Sequence, residues 1–129
     1  MNAYQAAQNY SSVKNHAGVL DASPHRLIQM LFEGALERIA QSKGAMLQNQ
    51  IARKGELIGK AINIVGGLQG SLSDREGGEL AANLEGLYDY IIRRLIKANM
   101  DNDPEILDEC ARLLGELKSG WDAIAPQVG

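Results

Sequence analysis

Between Glu79 and Asn99 the apolar positions recur with a helical period. At about 100° per residue, Leu80, Leu84, Leu87, Tyr88, Ile91, Leu95 and Ala98 share one face. Ala81, Ile92 and Ile96 widen that face sideways. The resulting arc covers about 180°, against the roughly 100° usual for a helix lying on one surface. Asn83, Asp89, Arg93, Arg94 and Lys97 take most of the other half. A helix with so wide an arc touches two neighbours in a bundle, or one neighbour and something from outside the chain.

Three further stretches carry the same period. Ser23-Pro24 is a helix start, a capping hydroxyl followed by Pro at the first helical position. The helix it opens runs to Leu47, with Leu27, Ile28, Leu31, Ala35, Ile39 and Met46 on one face and Met30, Phe32, Leu36 and Leu47 outside its centre. His25 and Arg26 occupy its first turn, where the helix dipole prefers acids. After a turn at Gln48-Asn49-Gln50, a second helix is expected from Ile51 to Gln69, on a stripe of Leu57, Ile58, Ala61, Ile62, Ile64, Val65 and Leu68. Gly55, Gly59, Gly66 and Gly67 fall mostly off that stripe and make it intrinsically the weakest helix, each costing about 1 kcal/mol against Ala. They are either tolerated because packing holds the helix, or placed so that another backbone can lie close. Gly70 to Gly78 reads as a loop, with Leu72 folding back onto the core. Asp103-Pro104-Glu105 repeats the start signal, and the last helix carries Leu107, Cys110, Ala111, Leu114, Leu117 and Trp121 to about Ile124 before Pro126. Four helices of ~20 residues joined by short connectors predict an all-α, antiparallel up-down four-helix bundle over residues 23–129.

Residues 1–22 differ. Ala3, Ala6, Ala7, Tyr10 and Val13 have helical spacing, but the stripe is thin and Ser11, Ser12, Asn15 and Gly18 loosen it. The segment reads as a mobile arm that docks through Tyr4 and Tyr10, or as a disordered terminus without a role.

Composition narrows the function more than the fold. The 129-residue chain carries a net charge of −3, which disfavours a nucleic-acid partner. One Cys precludes an internal disulfide and a Cys-based metal site. No apolar run reaches spanning length and no basic-then-apolar leader opens the chain, so a cytoplasmic protein without membrane insertion is expected.

Reactive constellations are missing from the pattern. The two histidines, His16 and His25, lie in the arm and in a first helical turn. Neither supplies the inward Glu-x-x-His pairs of a di-iron bundle or an exposed mid-helix phosphoacceptor. Gly66-Gly67-Leu68-Gln69-Gly70 does not follow a strand and is no phosphate loop. Cys110 lies on an apolar stripe as an inert thiol. Neither enzymatic activity nor a cofactor is expected.

Ser23-Pro24 with Leu27-Ile28-x-Met30-Leu31-Phe32-x-Gly34-Ala35-Leu36, and Gly78-Glu79-Leu80-Ala81-x-Asn83-Leu84-x-x-Leu87-Tyr88-Asp89-Tyr90 with Arg94-Leu95 and Ala98-Asn99, form motifs that resemble the flagellar secretion chaperone family FliS. The Leu114-x-Glu116-Leu117-x-x-Gly120-Trp121 ending and the Tyr-bearing arm complete the likeness. His25-Arg26 stands where family members usually carry acids. The resemblance implies a helical chaperone that is not an ATPase. It would hold the disordered C-terminal segment of flagellin, block premature polymerisation and hand the subunit to the flagellar type III export gate. It also implies an arm that covers part of the client groove when no client is bound.

The excess apolar arc then predicts where a client packs. Ile62 and Val65 line one side of an expected groove, Tyr88, Ile92, Leu95 and Ile96 the other, and Tyr4 and Tyr10 come from the arm. Leu84, Leu87 and Ile91, at mid-face, are expected in the core. The competing reading is a self-associating helical adaptor with no flagellin client.

Overall fold

The computed structural model describes residues 22–72 and 78–124. The expected N-terminal arm, with Tyr4 and Tyr10, lies outside them. Four helices follow in order: α1 Pro24–Leu47, α2 Ile51–Ser71, α3 Gly78–Asp101 and α4 Pro104–Ala123. Each packs on its chain neighbours, and α4 returns to α1, closing the ring. The pairings are antiparallel. Lys54 at the start of α2 meets Asn99 at the end of α3, and Trp121 at the end of α4 meets His25 at the start of α1.

The start signals work as their chemistry requires. Ser23 Oγ accepts from the Arg26 amide at 3.1 Å, and Asp103 Oδ1 accepts from the Glu105 amide at 2.9 Å, with Pro next in each case. The turns close on asparagines in the left-handed region. Asn49 has φ 60° between α1 and α2, and Asn102 has φ 54° between α3 and α4. Helix α2 runs further than the sequence pattern implies, taking in Gly70 and Ser71. The Ser71 hydroxyl donates to the Leu68 carbonyl at 2.6 Å and Leu72 packs on the core, so the last turn gains partners that outweigh the glycine.

The core holds Leu31, Ala35 and Ile39 of α1, Ile58, Ala61 and Val65 of α2, Ile91, Leu95 and Ala98 of α3, and Leu107, Cys110 and Leu114 of α4. Lys54 is the exception in charge. It is buried, and its ammonium donates to the Asn99 carbonyl at 3.1 Å and to Asn102 Oδ1 at 3.0 Å. It thereby satisfies the carbonyl end of α3, where the dipole favours a cation. Nothing lies within 4 Å of a Cβ built at Gly59 or Gly66, so no backbone among the described residues exploits those glycines.

Candidate functional site

At one end of the bundle the four-helix packing does not close. The start of α1 contributes Ile28 and Phe32, and Leu72 follows the end of α2. The start of α3 contributes Leu80, Leu84 and Tyr88, and the end of α4 contributes Leu117, Trp121 and Ile124. These residues enclose a mainly apolar cavity of about 500 Å³. On α3 the buried positions begin only at Tyr88. The turns before it keep the same apolar period but lack a full set of neighbours, so Leu80 is 70% and Ile124 47% exposed. Water against that much apolar surface is a free-energy cost that a partner would relieve.

The wall formed by α1 and α4 is held by contacts between the two helices. Trp121 Nε1 donates to the His25 carbonyl at 3.0 Å, and the indole stacks on the His25 imidazole with centroids 4.8 Å apart and planes at 14°. His25 therefore has a packing role at a position where the helix dipole alone would disfavour it. Arg26, its neighbour, donates to Glu33 at 2.9 Å and reaches Gln29, which carries its charge away from the helix start.

Of the expected client residues that are described, the structure brings Tyr88 alone to this cavity, while Tyr4 and Tyr10 lie outside the described residues. Val65 and Leu95, expected on the groove walls, have no exposed surface here and pack in the core. Ile62 and Ile92 are half-buried against the core and Ile96 is 45% exposed. Ile62 and Ile92 lie at one level of the bundle, in the register set by the Lys54–Asn99 and Gln69–Glu85 contacts. Leu84, expected in the core, lines the cavity instead, while Ile91 is fully buried as expected. Ile28, Phe32, Leu117 and Trp121 escaped the sequence reading. Their one signal was an apolar arc on every helix wider than a single seam needs.

The chemistry of the cavity is that of contact, not reaction. Burial pushes the Tyr88 hydroxyl up to about 12, so it is protonated at neutral pH. Burial also pushes the Cys110 thiol up to about 12, which removes its thiolate character. Among the described residues no group of His, Cys, Asp and Glu side chains is arranged to hold a metal ion. No described helix is long and apolar enough to cross a membrane. The basic trio of α3 is engaged locally: Arg93 pairs with Asp89 at 3.2 Å, Lys97 with Asp101 at 2.8 Å and Arg94 with Glu109 at 2.8 Å.

Fold and site together define a helical bundle with an open apolar cavity at one end. Comparison with known proteins places it. The family model for the flagellar protein FliS matches residues 6–128. The chain is 55% identical to the flagellar secretion chaperone FliSB of Pseudomonas aeruginosa over 125 residues, covering 97% of this chain and 99% of that one. It is 43% identical to the flagellar secretion chaperone FliS of Vibrio cholerae, over 93% of this chain and 88% of the relative. It is 42% identical to that of Salmonella typhimurium, over 92% and 89%. The chain belongs to the FliS family, a family of chaperones and not of enzymes.

Proposed function

We propose that this chain is an export chaperone that binds the disordered C-terminal segment of flagellin in the cytoplasm. By doing so it prevents premature polymerisation and assists delivery to the flagellar type III export apparatus. The observation that carries the reading is the open apolar cavity between α1, α3 and α4, in a bundle of the FliS family. A disordered client pays for its ordering out of the contact energy. An apolar receptor of this size offsets that cost by covering exposed Leu80 and Ile124, each worth about 1.5–3 kcal/mol on full burial. An amphipathic client segment docks there in the manner of a helix in a groove.

Ile62, Ile92 and Ile96 form a second strip, along α2 and α3, on which an extended client continues. Residues 1–21 precede Ala22, six residues before the cavity-lining Ile28. Tyr4 and Tyr10, on the arm, are the residues proposed to occupy the client's place and to contact the export gate.

Isothermal titration with a peptide of the flagellin C-terminal segment tests the reading. One-to-one binding is expected, with helix gained beyond the sum of the parts in circular dichroism. Leu80→Glu combined with Ile124→Glu alters two exposed positions and should weaken binding at least about tenfold while the bundle stays folded. The Ile92→Lys, Ile96→Lys pair should weaken it less. Absence of heat and of added helix with the folded wild-type protein would overturn the proposal.

A further inference from the structure

The cavity's polar groups are few, and all but one are already used. The Ser71 hydroxyl donates to the Leu68 carbonyl at 2.6 Å, and Trp121 Nε1 donates to the His25 carbonyl at 3.0 Å. Glu116 can only accept, and does so from Arg112 at 3.3 Å. Tyr88 is the remaining one. Its ring belongs to the core and the residue is 5% exposed, yet its hydroxyl has no hydrogen-bond partner among the described residues. It is not sealed either. Among described side chains the sealed polar atom without a partner is His25 Nδ1, so the Tyr88 oxygen keeps a sliver of solvent contact. The cavity it lines is the opening beside it. An O–H held at the floor of an apolar cavity and left to water is a donor waiting for an acceptor.

We infer that the Tyr88 hydroxyl is a specificity-determining hydrogen-bond donor of the cavity, reading a main-chain carbonyl at the end of the docked client helix. The inference rests on the docking reading above. The last turn of any helix leaves carbonyl oxygens without intrahelical partners. Burying one in an apolar cavity is costly unless a donor meets it there. A side-chain amide fits less well, because it brings N–H donors as well as a carbonyl, and the Glu116 carboxylate is already engaged. A purely apolar plug covers the walls but leaves the Tyr88 O–H stripped of water and unpaired, which penalises it. The hydroxyl thus selects, among apolar segments of the right size, those that end a helix at the cavity floor.

Tyr88→Phe removes the hydroxyl and keeps the ring. Titration of the wild type and of this variant with the flagellin C-terminal peptide should show about three- to tenfold weaker binding in the variant. The unfolding midpoint without peptide should be unchanged or raised, because the lost group has no partner in the free protein. In the wild-type complex the Tyr88 O–H proton should become visible by NMR as a slowly exchanging signal. Equal affinities of the two proteins, with the wild type binding, would overturn this inference and leave the docking reading standing. A parallel fall in affinity and unfolding midpoint would also overturn it, since that is the mark of a structural role. Failure of the wild type itself to bind would remove the docking reading, and this inference with it.

Discussion

Glu109 gathers two side-chain partners on the α3–α4 surface. The Tyr90 hydroxyl donates to it at 2.6 Å and Arg94 Nε at 2.8 Å, and the guanidinium carbon lies 6.0 Å from the centre of the Tyr90 ring. The Tyr90 hydrogen bond, then that of Arg94, hold the Glu109 carboxyl below the usual 4.5, while the same bond holds Tyr90 above its usual 10.0. A depressed carboxyl contributes stability above its unfolded value and loses it as pH falls through the folded one. A raised phenol contributes below 10.0 and loses it as pH rises through its folded value. Glu109→Gln should therefore lower the thermal midpoint at pH 7 and narrow its distance from the wild type toward pH 3. Melting curves across that range check it, and a constant gap would refute it. Asp122, depressed chiefly by Lys118, acts with the same sign in both proteins and does not blur the comparison.

The elements owe their limits to a few local contacts, and α2 is the one with the most stability to gain. Glycine in a helix interior is disfavoured by about 0.5–1 kcal/mol against Ala, because more backbone freedom is lost on folding. Gly59 and Gly66 sit inside α2 with open space where a Cβ would stand. Gly59→Ala with Gly66→Ala should raise the unfolding free energy by about 1–2 kcal/mol in urea titration. If client affinity fell in that variant, the glycines would be serving a close approach by the client backbone. At the opposite ends of the neighbouring helices, Ser23 and Asp103 each supply one cap. Removing either by Ala should cost about 1 kcal/mol. Chemical denaturation of Ser23→Ala and Asp103→Ala reads this directly.

Across the described bundle, one end is packed tightly and the other holds an open apolar cavity. Leu95, a full heptad beyond Tyr88, lies among side chains of several helices with no exposed surface, while Ile96 beside it is 45% exposed. Leu95→Ala should cost about 2–5 kcal/mol of unfolding free energy, because a cavity remains where the side chain was. Ile96→Ala should stay within about 0.5 kcal/mol. Comparable losses in the two variants would contradict the division of α3 into core and surface. The division suits a chaperone. The closed half keeps the bundle folded, and the open half leaves apolar surface available without dismantling the core.

Helical periods, two Ser-Pro or Asp-Pro starts and short connectors made the four helices and their antiparallel order legible from the residues alone. The expectation of no enzymatic chemistry, drawn from the missing His, Cys and carboxylate spacings, agrees with a family of chaperones and not of enzymes. The motif residues of α1, α3 and α4 also pointed to the family. Tertiary structure decided where the excess apolar surface stays open. Leu84 and Leu95 occupy the same stripe of α3, yet one lines the cavity and the other is core. Periodicity records the direction in which a side chain points from its helix axis. It does not record the height along that axis at which the neighbouring helices stop covering it, and that height separates receptor from core here.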